Sequence, residues 1–137
     1  EPDASTLGGK AVGVPGTVRG LAHALREYGT LSLEEALEAA IRLAAQGFTV
    51  SPYLARDLAE KQVELMRSPG IRDVFYPQGR PPEPGDVLIQ KDLANTLRRI
   101  ANEGVTGFYE GAVAEAIADT VEQAGRVMTA ADPAATP

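Results

Sequence analysis

Apolar positions along the chain fall into runs of helical period, punctuated by glycine and proline. Val18, Leu21, Leu25 and Tyr28 recur at intervals of three, four and three residues, which puts them on one face of a helix. Pro15 or Gly16 suits the first turn of that helix, and Gly29 stands where a left-handed residue would end it. Ser32 followed by Glu35 has the spacing of a reciprocal capping box. It predicts a second helix with Leu33, Leu37, Ala40, Ile41 and Ala44 on one face, stopped by Gly47. Ser51-Pro52 repeats the start signal, a cap and then proline at the first helical position, for a third helix of about 15 residues. Its stripe of Leu54, Leu58, Leu65 and Met66 is interrupted by Gln62.

The period is lost between Ser68 and Gly85, where eight of 18 positions are proline or glycine. That density forbids a continuous helix or a central strand. Inside it, Ile71 to Tyr76 predicts a brief extended or helical turn, and Val87 to Ile89 another, neither long enough to promise a sheet. A fourth helix is predicted over Lys91–Glu103, with Leu93, Leu97 and Ile100 inward and Gly104 as its stop. After a Phe108-Tyr109 turn, a fifth runs from about Ala112 to Gln123. Val113, Ile117 and Val121 form its inner face, and Gly125 ends it. Thr129-Ala-Ala-Asp132 spells one more capping box, which meets Pro133. The expected architecture is mainly α: an irregular lead-in over 1–14, a helical lobe over 15–132 with one long Pro/Gly-rich loop, and a tail over 133–137.

Composition narrows the chemistry. The chain has no cysteine, which removes disulfides, thiolate zinc sites and a cysteine nucleophile. Thirteen Lys+Arg against 19 Asp+Glu leave a net charge of −6, opposing a nucleic-acid or anionic-membrane surface, since both need a basic face. No stretch approaches the roughly 18 apolar residues of a membrane span. The single histidine, His23, points away from the apolar face of its helix and reads as a solvated side chain. With one His and no Cys, a transition-metal cluster is not expected. Glu34/Glu35/Glu38 and Glu115/Asp119/Glu122 read as solvated helix faces, because hard cations want oxygens converging from loops. The glycines at 8, 9, 13, 16 and 20 match neither phosphate-loop fingerprint, and Lys10 is out of register for one. No GxSxG elbow surrounds Ser5, Ser32, Ser51 or Ser68. Ala36 to Leu58 has the dimensions of a helix-turn-helix, but Arg56, Lys61 and Arg67 are offset by Asp57, Glu60 and Glu64.

Several segments together carry a resemblance. Ala11-Val-Gly-Val-Pro-Gly-Thr-Val-Arg-Gly-Leu21, with the following His-Ala-Leu-Arg-Glu-Tyr-Gly-Thr-Leu-Ser-Leu33, resembles the γ-glutamyltranspeptidase (glutathione hydrolase) family. So do Ala39 to Ser51, Pro84-Gly-Asp-Val-Leu-Ile-Gln-Lys-Asp-Leu-Ala94 with Leu97-Arg-Arg-Ile-Ala101, Gly107-Phe-Tyr-Glu-Gly111, and Met128 to Asp132. The resemblance runs from Gly8 to Asp132, in order and at matching spacings.

It implies an αββα N-terminal-nucleophile hydrolase whose precursor cleaves itself. The new N-terminal Thr of the small subunit attacks the γ-glutamyl amide, its own α-amine serving as base. Both that Thr and the Arg that clamps the substrate carboxylate belong to parts of the family outside this segment. Thr17, inside a helix start, is not such a nucleophile. The chain, which opens on Glu1 rather than Met, is therefore expected to be a middle part of the large subunit. No catalytic, substrate-binding or metal-ligating residue and no cofactor are assigned to it. Its expected partners are the remainder of the large subunit and the small subunit, with γ-glutamyl substrates met in the parent alone, and weak self-association through uncovered apolar faces. The segment itself is expected to touch neither nucleic acid nor membrane, although the family suggests an exported parent. The alternatives are a glutaryl (cephalosporin) acylase of the same fold and a non-enzymatic helical interaction or helix-turn-helix module.

Overall fold

The computed structural model describes residues 11–125. The Gly8-Gly9-Lys10 run, the Thr129–Asp132 cap and the 133–137 tail lie outside the described residues. Within them the order is α1 (Thr17–Tyr28), α2 (Leu33–Gln46), β1 (Phe48–Thr49), α3 (Pro52–Glu60) and α4 (Gln62–Leu65). Then follow α5 (Pro69–Phe75), β2 (Val87–Leu88), α6 (Lys91–Glu103), α7 (Thr106–Tyr109) and α8 (Gly111–Gln123). The mainly α expectation holds. These residues divide into two compact units, one made by residues up to Glu38 together with those from Thr96 on, the other by Ala39–Asn95.

In the first unit, α1 begins after Gly16, whose lack of a side chain leaves the first-turn N–H groups without a local cap. The Arg19 N–H is one of these orphan donors, and it donates to the Tyr109 hydroxyl oxygen at 3.1 Å. Tyr109 itself is 2% exposed, its ring 4.6 Å from the Arg19 guanidinium and edge-on to Phe108 at 5.0 Å. The α2 start is capped as predicted: the Ser32 N–H donates to Glu35 Oε2 at 2.7 Å, and the Glu35 N–H donates to Ser32 Oγ at 3.1 Å. In α8 the most buried positions are Ala114, Ala118 and Val121, while Val113 and Ile117 are half-buried. Small residues sit at the closest approach, one position along from the large aliphatics.

The second unit is built around Val50, Ala55 and Leu88, with Phe48, Leu54 and Phe75 packed on them. Ser51 Oγ accepts the Leu54 N–H at 3.1 Å, capping α3. Phe48 and Thr49 pair antiparallel with Leu88 and Val87. Val50 extends the pairing: its N–H donates to Asp86 O at 2.8 Å and its carbonyl accepts from Gly85 at 3.0 Å. The sequence did not promise this ribbon, because each strand is two residues long. Tyr76, 1% exposed, donates its hydroxyl to the Leu58 carbonyl at 2.7 Å, and burial pushes its phenol pKa up.

Four expectations need correcting. Gly29 is not left-handed, with φ −86° and ψ 166°; a Cβ there would instead run into the Leu25 carbonyl and side chain, so close approach is what requires glycine. The third helix is not continuous, since Lys61 leaves helical geometry at ψ 9°. Gln62, on the far side of that break, donates to Gly79 O at 3.2 Å. Pro69, counted among the breakers, starts α5 instead, where its missing N–H costs nothing. Leu93, expected inward on α6, is 43% exposed, and Ala94 beside it is buried.

Gly47 ends α2 as predicted, at φ 89°, and its position is doubly constrained. A Cβ there would lie 2.5 Å from Val87 Cγ1 and 3.0 Å from the Leu88 carbonyl oxygen. Gly79 has a similar φ of 74° but open space around it. Gly47→Ala is therefore expected to cost on the order of 3 kcal/mol, left-handed strain plus overpacking, and Gly79→Ala about 1 kcal/mol from strain alone. Urea denaturation distinguishes the two. Tyr76→Phe should cost about 1 kcal/mol by the same measurement, the worth of one hydrogen bond.

Candidate functional site

Hydroxyls, the imidazole and carboxylates are the groups from which a hydrolytic site could be assembled, and the fold commits many of them to backbone. Ser32 and Ser51 cap helices. Thr106 Oγ1 donates to Glu103 O and Thr120 Oγ1 to Ala116 O, each at 2.7 Å. Thr17 is the first residue of α1. His23 is exposed, and its Nδ1 lies 2.9 Å from Arg26 Nη2; a guanidinium can only donate, so the ring nitrogen accepts. None of these contacts pairs a nucleophilic oxygen with a base. Among the described residues, no group of three or more His, Cys, Asp or Glu side chains is placed to hold a metal ion, and no helix is long and apolar enough to cross a membrane.

The second unit carries two surface grooves beside β2. One, of about 250 Å³, lies between Phe75, the Pro81-Pro82 stretch and Leu88; the other, of about 480 Å³, between Val74, Ile89 and Leu93. The charged residues lining the first groove are engaged close by. Arg80 Nη1 is 3.4 Å from Glu83 Oε1, and Asp86 Oδ2 accepts the Glu83 N–H at 2.8 Å. These contacts stiffen the loop, and exposed ion pairs of this kind add little stability.

The helix-turn-helix reading meets the geometry at Arg56. Its guanidinium lies 4.9 Å from the Tyr53 ring centroid, 3.3 Å from Asp57 and 3.8 Å from Glu60. The turn between the helices is also occupied by β1. A cation paired within its own helix surface is poorly placed to read base edges.

Nothing in the residue pattern announces the Arg19–Tyr109 and Tyr76–Leu58 contacts. Both are positioning contacts between a buried phenol and helix backbone, separated by 90 and 18 residues, and pattern along one segment carries no record of them.

Against known proteins, a family model described as gamma-glutamyltranspeptidase matches residues 1–135. The glutathione hydrolase proenzyme of Bacillus subtilis (strain 168) is 44% identical over 124 residues, 90% of this chain and 21% of that protein. The solved gamma-glutamyltranspeptidase of Helicobacter pylori superposes with a TM-score of 0.96 at 36% identity, over 100% of this chain and 40% of the other. A cephalosporin acylase from Bacillus halodurans gives 0.86 at 32% identity, over 94% of this chain and 25% of the other. The fold is thus a mainly helical lobe of the N-terminal-nucleophile hydrolase class. The chain belongs to the gamma-glutamyltranspeptidase family. It spans about a fifth of the length of the curated relative it matches.

One electrostatic feature of the lobe is open to titration. The Ser32 backbone N–H, and then the Ser32 side chain, hold the Glu35 carboxyl below its usual pKa. A depressed carboxyl contributes stability that is complete above its unfolded value of about 4.3 and is lost as pH falls through the folded value. Glu35→Gln keeps an acceptor at the cap but does not titrate. It is expected to flatten the acid limb of the stability–pH curve below about pH 4.3, read by thermal melts from pH 3 to 7.

Proposed function

We propose that residues 15–132 form a scaffold lobe in the large subunit of a γ-glutamyl-transferring enzyme, and that the lobe carries no catalytic or substrate-binding residue of its own. In the parent, the small-subunit Thr would attack the γ-glutamyl carbonyl and expel the amine. The acyl group would then pass from the Thr oxygen to an amino acid, a peptide or water. The remainder of the large subunit and the small subunit would be the lobe's partners. The supporting observation is the superposition at 36% identity along the whole of this chain on 40% of a gamma-glutamyltranspeptidase. The hydroxyls committed to helix caps and backbone agree with it.

An acylase of the same fold is the second reading, favoured by the cephalosporin acylase likeness, though at the lower TM-score. The full-length parent should turn over γ-glutamyl-p-nitroanilide faster than glutaryl-p-nitroanilide; the reverse order would move the assignment to the acylases. The 137-residue chain alone should turn over neither, and release of p-nitroaniline by it would place active-site residues inside the lobe. Sedimentation of the isolated chain should show weak, concentration-dependent self-association, since its exposed apolar residues lack their cover. A strictly monomeric profile at high concentration would contradict that.

A further inference from the structure

Gln62 stands where α3 gives way to α4, and its side-chain amide nitrogen carries two hydrogens to place. Nε2 donates to Met66 Sδ at 3.4 Å and to the Gly79 carbonyl oxygen at 3.2 Å. One nitrogen thus ties α4 to the Pro/Gly-rich loop 17 residues on. Among the described residues, the other hydrogen bonds of residues 78–82 are local. The Gly79 N–H donates to Tyr76 O at 2.8 Å, and Arg80 Nη1 donates to Pro81 O and Glu83 Oε1. The loop contributes Pro77, Gln78, Arg80, Pro81 and Pro82 to the lining of the groove of about 250 Å³, so the Gln62 contact also sets the shape of that groove.

A thioether is a weak acceptor, and its sulfur is also where an oxidant attacks. Met66 is half-buried and the Gln62–Gly79 bond is exposed, so a small oxidant reaches both from solvent. We propose that Met66 is an oxidation site for peroxides, and that its sulfoxide releases the 77–83 loop from α4. A sulfur lone pair attacks one oxygen of hydrogen peroxide, and the S–O bond forms as the O–O bond breaks. Sulfur loses two electrons to the peroxide, and the departing hydroxide takes the proton of the transferred oxygen and leaves as water. The sulfoxide oxygen is a polar acceptor where the thioether was a weak one, and it competes for Gln62 Nε2. An N–H···O bond alone spans about 2.9 Å, so the 3.4 Å between Nε2 and Sδ leaves no room for an oxygen between them, and the amide must retreat. Its bond to Gly79, at 3.2 Å, already lies at the long end of the range of about 2.7–3.2 Å, so a small retreat breaks it. Methionine sulfoxide reductases reverse the oxidation, which makes the contact a switch. This device is independent of the γ-glutamyl reading.

The test treats the full-length parent with hydrogen peroxide, follows Met66 by peptide mass spectrometry, and reads the loop by hydrogen exchange of a peptide spanning residues 77–83. Met66 should be oxidised within tenfold of the rate of N-acetylmethionine, and exchange in that peptide should then rise at least fivefold. Methionine sulfoxide reductase with a dithiol should restore both. Met66→Leu keeps the volume of the side chain and removes the sulfur; with it, peroxide should leave exchange in the loop unchanged. Gln62→Ala should show the raised exchange without peroxide and gain less than twofold from it. Slower oxidation of Met66, oxidation with no change in the loop, or the same peroxide response in Met66→Leu would each overturn the proposal. So would a Gln62→Ala loop that exchanges like the wild type, a readout that does not depend on the Met66 variant folding.

Discussion

A buried phenol must give its hydroxyl a partner, and in this protein both deeply buried tyrosines find one on the backbone of a helix. Tyr76 donates to the Leu58 carbonyl at 2.7 Å, fixing the end of α5 against α3. Tyr109 accepts the Arg19 N–H at 3.1 Å, supplying the cap that Gly16 lacks. An unpaired hydroxyl in either place would cost about 1–3 kcal/mol, so the two contacts restrict how each unit can pack. With seven aromatic residues, Tyr 4 and Phe 3 and no Trp, the chain has few large side chains to spend. It places two of them where a ring fills the interior and an oxygen orders a helix.

What the sequence made legible is what its local chemistry encodes. The Ser32/Glu35 box and the Lys91–Glu103 helix were readable because their signals lie within a few residues of the structure they set. The break at Lys61 was not, since it goes with a hydrogen bond from Gln62 to a carbonyl 17 residues on. Leu93 and Ala94 show a second limit. Apolar period weights the larger side chain, but close helix packing favours the smaller, and Ala94 and Ala114 reach 0% exposure. Pro69 shows a third, because proline is a breaker or a starter according to its register with the cap before it.

The candidate site was legible in a different way. Residue types alone excluded thiol and cluster-metal chemistry, and the structure then accounted for several hydroxyls one by one as caps and backbone donors. Family membership was legible in segments distributed along the chain and agreeing in order, rather than in any single motif. The proposed scaffold lobe would leave this kind of signature: strong identity to enzymes, with several polar side chains spent on holding helices in place. In the first of the grooves beside β2, Arg80 and Asp86 are likewise held by near neighbours in the loop.

The 90-residue separation between Arg19 and Tyr109 also bears on the order in which the chain can assemble. Closing that loop costs about 1.4 kcal/mol more entropy than closing the 18-residue span from Leu58 to Tyr76. The second unit is contiguous in sequence and the first is not. On a ribosome adding about 5 to 20 residues per second, α1 would emerge roughly 5 to 18 s before the tyrosine that caps it. During that interval its exposed Leu21 and Tyr28 are at the disposal of chaperones, and Ala39–Asn95 has time to fold first.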